Sequence, residues 1–275
     1  MATISDLYIY PIKSLGGIRV SEARLTDRGL EHDRRWMLID ENNRFLTQRE
    51  NPEMALLQTE FTGQGIRVFH KHNVTDAVTF PFKSSVYETV RVVVWDDECD
   101  AQVMKDELNK WFSKHLKISC RLVYMPDNSL RKVEEQYALR NDDITNFSDG
   151  YPLLMISEAS LNDLNSRLDE KLPMNRFRPN IVMQGAEAYD EDRLKHFTIN
   201  GVDFYGVKLC GRCVMTTINQ DNMARSKEPL KTLSTYRMKN NKIFFGQNIL
   251  YKGETILRAG DQIEIKERKE QPIFL

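Results

Sequence analysis

The chain has 275 residues, 41% of them hydrophobic and 9% aromatic, enough for one large or two closely packed domains with real cores. Its 39 Lys and Arg against 40 Asp and Glu leave a net charge of -1, which argues against steering to nucleic acid or an anionic membrane. Any cationic site must therefore be local and concave. No stretch reaches the roughly 18 apolar residues of a membrane helix, and the N-terminus MATISDLYIYPIKS has no basic region followed by an apolar run. Four scattered cysteines, at 99, 120, 210 and 213, do not make a disulfide framework; a reducing, cytoplasmic setting is expected.

In chain order, short β-branched and aromatic segments predict strands at Asp6–Tyr10, Ile18–Leu25, Trp36–Ile39 and Val90–Trp95, broken by Gly16-Gly17, Asp27-Arg28-Gly29 and Asn42-Asn43. Leu108, Trp111, Phe112 and Leu116 recur at helical spacing and predict a helix after Val103. The stretch 126–150 is the least regular, either a linker or a loop packed over a site. A soft boundary there divides the chain into 1–125 and 126–275. Ser157 is a candidate N-cap for a helix presenting Leu161, Leu164 and Leu168 on one face and ending before Pro173. Strands follow at Asn180–Met183, Val202–Leu209, Val214–Ile218, Lys242–Phe245 and Asp261–Lys266. Many short strands and few helices predict barrels rather than a doubly wound sheet.

Cys210-Gly-Arg-Cys213 is the sharpest local feature. A thioredoxin-like pair needs a cysteine at a helix N-terminus, whereas both flanks read as strand. A structural zinc needs four ligands, and no second close Cys or His pair is present. Two buried cysteines acting as small apolar residues, or a single thiolate ligand to a soft metal, remain open. The cationic positions are Lys13 and Ser14 after the first strand, Arg34 and Arg35 in His32-Asp-Arg-Arg-Trp36, and Arg178 with Asn180 in Asn175-Arg-Phe-Arg-Pro-Asn180. Lys13 and Ser14 beside two glycines could clamp a phosphate, or form an exposed turn. Arg34 and Arg35 should point to opposite faces, so one at most meets a given ligand, and Asp33 could simply pair with either. Arg178 and Asn180 are expected on one strand face, suited to a phosphate or a pterin edge, although a connector with surface arginines reads equally well. Ser148-Asp-Gly-Tyr-Pro152 is a turn signal. His70 and His72 should share a strand face and be solvated.

Together, Tyr10-Pro-Ile-Lys-Ser14, Asp33-Arg-Arg-Trp36, Thr47-Gln-Arg49, Ser148-Asp-Gly-Tyr-Pro152, Phe177-Arg-Pro-Asn180, Cys210-Gly-Arg-Cys213 and Phe245-Gly-Gln247 resemble, in order, the MOSC family of molybdenum-cofactor proteins. The likeness is to the branch with an N-terminal β-barrel domain, which includes the mitochondrial amidoxime-reducing components. The resemblance implies a mixed, β-rich fold, with an N-terminal β-barrel-like domain packed on a C-terminal MOSC β-barrel and molybdenum-molybdopterin between them. It implies Cys213 as the metal ligand and Asp149, beside Ser148, close to the metal. Lys13, Ser14 and Arg34 would contact the pterin phosphate, and Arg178 and Asn180 the cofactor. The implied activity is reduction of N-hydroxylated small molecules such as amidoximes and hydroxylamines. With no membrane anchor and no cysteine after 213, electrons are expected from a separate ferredoxin-, flavin- or cytochrome-type protein. A cofactor carrier or a sulfur-transfer protein are the alternative readings.

Overall fold

The computed structural model describes residues 1–83, 88–270 and 274. Its first half contains β1 (Thr3–Ile9), β2 (Ile18–Val20), β3 (Glu22–Thr26), β4 (Gly29–Leu30), β5 (Trp36–Ile39), β6 (Leu57–Thr62), β7 (Gly65–His70), β8 (Asn73–Pro81), β9 (Thr89–Val94), β10 (Asp97–Val103), α1 (Asp106–Leu116) and β11 (Arg121–Tyr124). The second half contains β12 (Leu153–Ser157), α2 (Glu158–Ser166), β13 (Ile181–Gln184), β14 (Leu194–Ile199), β15 (Val202–Arg212), β16 (Met238–Lys239), β17 (Lys242–Lys252), β18 (Thr255–Arg258) and β19 (Glu264–Arg268). The β-rich character expected from the sequence holds.

The largest sheet runs β19-β14-β15-β17-β12-β13-β1-β2, with β16 added on β17. It curls back on itself: Ile4 N–H donates to the Asp261 carbonyl and Ile263 N–H to that of Ala2, both at 2.9 Å, just ahead of β19. Leu7, Met155, Ile181, Phe197, Phe204 and Ile249 fill its interior. The first strands of the chain thus belong to a sheet built mainly by the second half, and β3 pairs with β18 in a separate three-stranded sheet.

The rest of the first half forms a four-stranded sheet, β5-β11-β10-β9, and the meander β6-β7-β8. β5 is buried on both faces, as an uninterrupted apolar run requires. Trp36 and Leu38 face the core under α1, whereas Met37 and Ile39 face a second cluster with Val92, Val123 and Phe147. Helix α1 buries Leu108, Phe112 and Leu116, carries Asp106 and Glu107 in its first turn, and ends at Lys117 in the left-handed conformation (φ 56°).

Ser157 caps α2 by accepting from Ser160 N–H at 3.0 Å. The helix stops at Ser166, short of the predicted end at Leu172, because Asn165 turns the chain back: its amide exchanges bonds of 2.8 and 3.0 Å with the Leu172 backbone. A second difference lies after Cys213. The predicted strand Val214–Ile218 is a 3-10 turn, Val214–Thr217. Its threonine hydroxyls bond back to the carbonyls three residues earlier, Thr216 to Cys213 at 3.0 Å and Thr217 to Val214 at 2.7 Å, which outweighs their β-branched preference. His70 ends β7 while His72 lies in the following turn, so they share no strand face; the His70 ring instead stacks on His115, 5.6 Å away. No helix among the described residues is long and apolar enough to cross a membrane.

Candidate functional site

A cavity of about 240 Å³ opens between the two halves of the chain. Lys13, Ser14 and Arg34 reach it from the first half, and Ser148, Asp149, Arg178, Asn180 and Cys213 from the second, so all eight residues singled out in the sequence line one space.

The stretch after β1 is built from within. The buried Asp33 carboxylate accepts from Tyr10 N–H at 2.8 Å, and Lys13 N–H donates to the Trp36 carbonyl at 2.8 Å. Gly16 and Gly17 serve packing, not the cavity: a Cβ on Gly17 would lie 2.3 Å from the Tyr10 ring, and one on Gly16 2.4 Å from Gln58 Oε1. Lys13, itself buried, extends to the Phe147 carbonyl (2.8 Å) and to Asp149 Oδ1 (2.6 Å). The irregular stretch 126–150 is therefore a loop packed against the site, held by Arg131 on the Asn146 and Ser148 carbonyls. Burial pulls the Lys13 ammonium down to about 8 despite its carboxylate partner. Burial also opposes charge on Asp149, but Lys13, Arg49 and a Trp95 hydrogen bond outweigh it and hold the carboxyl well below its usual range. Asp149 is enclosed by neighbours on the cavity wall, yet its side chain remains 65% exposed toward the opening.

Arg34 and Arg35 do diverge. Arg35 turns to Asp127 and Tyr124, at 2.6 and 2.7 Å. Arg34 pairs with Asp33 at 2.6 Å and still faces the cavity, donating also to Asn180 Oδ1 (3.0 Å) and the Arg178 carbonyl (3.2 Å). Arg178 and Asn180 do not share a strand face, because both precede β13 and Arg178 has φ 56°. The proline between them and the left-handed residue form a tight connector that brings both to Arg34. Asn180 is spent inside the protein: its oxygen also accepts from Leu154 N–H at 3.2 Å and its amide donates to the Tyr8 carbonyl at 3.2 Å. Arg178 donates to the Leu15 carbonyl at 2.6 Å and lies 4.2 Å from the Tyr10 ring centroid; burial lowers it to about 10.

Cys213 is exposed to the cavity, just beyond β15, and Arg49 Nε lies 3.2 Å from its sulfur. Cys210 sits within β15 at a register shift, half-buried, and burial pushes its thiol up. It lies in a strand, not at a helix N-terminus, and both thiols are free.

Arg49, Arg176, Lys208 and Arg212 also line the cavity, and none is assigned a site role from the sequence. Thr47-Gln-Arg49 has no chemistry of its own to read, and Arg212 lay hidden between two cysteines. With Lys13, Arg34 and Arg178 they bring seven basic side chains against one carboxylate, Asp149. Among the described residues several lack anionic partners: Arg212 donates to the Phe245 and Phe177 carbonyls, at 2.7 and 2.9 Å, while its Nη2 and Arg176 Nε are buried without a partner there. Cations buried on neutral oxygens are costly, and a dianionic phosphate would relieve them. Among the described residues no group of three or more His, Cys, Asp or Glu is arranged to hold a metal. The molybdenum–pterin cofactor that the sequence resemblance implies would bring a dithiolene and a dianionic phosphate of its own. Thiol, cation excess and orphaned donors thus fit a metal-bearing, phosphorylated pterin.

Both halves of the chain are similar to known proteins. Residues 1–119 match the MOSC N-terminal beta barrel domain and residues 142–264 the MOSC domain. Mitochondrial amidoxime-reducing component 1 of Homo sapiens is 32% identical over 96% of this chain and 82% of its own length. Mitochondrial amidoxime reducing component 2 of Rattus norvegicus is 35% identical over 86% and 73%. The molybdenum cofactor sulfurase of Oryza sativa subsp. japonica is 32% identical over 96% of this chain but 35% of its own length.

Proposed function

We propose, from the premise that the chain belongs to the MOSC-domain family in the branch with an N-terminal β-barrel domain, that it is a molybdenum-cofactor-dependent reductase of N-hydroxylated small molecules. The observation that carries this reading is the meeting, in one cavity, of an exposed thiol and an excess of basic side chains from both halves of the chain. In it, Lys13, Ser14, Arg34 and Arg178 would hold the cofactor phosphate and Cys213 would ligate the metal. When bound, the cofactor supplies two-electron removal of oxygen from an N–O bond. The chain's own residues bind and orient. Asp149, kept ionised by its cationic neighbours and open to the cavity, is placed to accept an N–H of an amidoxime or hydroxylamine. Two electrons and two protons balance the conversion of an amidoxime to an amidine and water, with the electrons supplied by a separate redox protein.

The test is product analysis with reduced viologen as donor. Molybdenum-loaded protein should convert benzamidoxime to benzamidine, and cofactor-free protein should not. No product from loaded, reducible protein across amidoxime, hydroxylamine and N-oxide substrates would favour a cofactor carrier. The sulfurase relative and the exposure of Cys213 support sulfur transfer as a second reading; a persulfide on Cys213, seen as the added mass of one sulfur, would favour it.

A further inference from the structure

Arg49 makes a set of contacts that phosphate binding does not explain. Its Nε points at Cys213 Sγ, 3.2 Å away. Its Nη2 lies 3.9 Å from Asp149 Oδ2, and its guanidinium lies over the Trp95 ring, 4.4 Å from the centroid. Trp95 in turn donates from Nε1 to Asp149 Oδ1 at 3.2 Å. One guanidinium therefore bridges the sulfur and the carboxylate, and an indole carries both the guanidinium and the carboxylate.

The backbone under Arg49 is pinned from both halves of the chain. Buried Gln48 donates to the Ser14 carbonyl at 2.6 Å and exchanges bonds with Gln220 at 3.1 and 2.9 Å. Arg225 donates to the Arg49 carbonyl at 3.0 Å. Trp95 is the first of two residues joining β9 to β10, and it adopts φ 60°. A two-residue hairpin loop favours glycine or asparagine there, and a bulky side chain in the left-handed region is strained. Such strain clusters at functional sites, and the Trp95 ring is held against Phe45, with centroids 5.0 Å apart. The ion pair alone does not account for the arrangement, because 3.9 Å is at the limit of such contacts and Asp149 already has Lys13 at 2.6 Å.

We infer that Arg49 is a positioning residue that fixes the Cys213 sulfur relative to the Asp149 carboxylate, and that Trp95 is the support that holds Arg49 in place. The inference rests on the reading of Cys213 as the cofactor's thiolate ligand for its consequence in turnover, but not for the geometry. In the reductase it keeps the metal-binding sulfur and the substrate-facing carboxylate in register, which a dianion clamp elsewhere in the cavity does not do.

Two measurements test it. In cofactor-free protein, the preference of Cys213 for anionic iodoacetate over neutral iodoacetamide reports a cation beside the sulfur, read by fragment-ion mass spectrometry that separates Cys213 from Cys210. One charge about 4 Å away in water changes that preference by about fivefold. Arg49→Met should lower the ratio by that factor. Trp95→Gly should lower it too while leaving the unfolding temperature unchanged or higher, since glycine suits the turn. Arg49→Lys should keep the ratio. In molybdenum-loaded protein, Arg49→Met and Arg49→Lys should both lower kcat with pterin content unchanged and KM little altered. An unchanged alkylation ratio in both Arg49→Met and Trp95→Gly would overturn the inference. So would loss of pterin in Arg49→Met, which would make Arg49 another phosphate contact, or full kcat in Arg49→Lys, which would make charge alone sufficient. If the wild-type protein takes up no molybdenum, the metal reading fails while the alkylation ratio still decides the position of Arg49.

Discussion

Arg34 and Arg178 face the same cavity but should differ in stability when replaced by methionine. Among the described residues Arg178 has no anionic partner, and its pKa is drawn from 12.5 to about 10 by burial. At 1.36 kcal/mol per unit, that burial costs about 3 kcal/mol. The bond to the Leu15 carbonyl returns roughly 1.5–3 kcal/mol, and the Tyr10 ring about 1 kcal/mol. Arg178→Met removes cost and return together, so cofactor-free protein should stay within about 1 kcal/mol of wild type, about 2–4 °C for a chain of this size. Arg34 is different: its pair with Asp33 is 2.6 Å long, with side chains 12% and 3% exposed. Arg34→Met leaves that carboxylate buried without its cation, a loss of about 3–5 kcal/mol, or on the order of 10 °C. In the proposed phosphate clamp each substitution would also remove a charged donor, weakening cofactor binding by roughly tenfold to a hundredfold. Differential scanning calorimetry of the cofactor-free variants, with pterin content after loading, reads both quantities. Equal destabilisation by the two substitutions, or wild-type pterin content in Arg178→Met, would refute this division of labour.

Two further outcomes are expected. Cys213→Ala should remove the protein's sulfur ligand to the metal and reductase activity while Cys210→Ala is mild, measured by X-ray absorption at molybdenum and by turnover; equal loss would point to a dithiol. Glu191 is fully buried, accepting from Ser157 N–H at 3.1 Å and Ser160 Oγ at 2.8 Å, and burial followed by the neighbouring Asp192 raises it from 4.5 to about 7. Its neutral form is favoured in the folded state, so this contribution is full below about pH 4.5 and is lost as pH rises through 7, about 3 kcal/mol in all. Glu191→Gln should flatten that part of the pH dependence of the unfolding temperature, and an unaltered profile would count against the assignment.

What could be read from the sequence was mostly local. The apolar run Trp36–Ile39 and the cap at Ser157 declare themselves because strand burial and N-capping act within a few residues. The sequence predicts β17 only as Lys242–Phe245; in the fold Gly246 adopts φ 83°, its missing Cβ leaves room for Ile156 and the Arg212 guanidinium, and the strand continues to Lys252. Val214–Thr217 misled because side-chain bonds to local carbonyls are invisible to periodicity. Lys13 and Cys213 stand out by residue type, but their shared cavity depends on β1 lying against β13, a pairing between the two halves of the chain. Arg49 and Arg212 carry no local signature separating them from surface arginines, so only tertiary structure reveals them.

The placement of β1 also governs when the site can exist. β1 has one partner close by in β2, but its others lie far along the chain: Thr3 pairs with Gln184 and bridges to Gln262. Contacts this distant in sequence form slowly, after the loop-closure entropy has been met. Lys13 and Ser14 sit directly beyond that strand, so their wall of the cavity is complete only once the two halves of the chain have met. The same topology means that the two halves are not separable parts: cutting the chain between them would strip the barrel of β1 and β2 and leave Asn180 without Arg34 and the Tyr8 carbonyl.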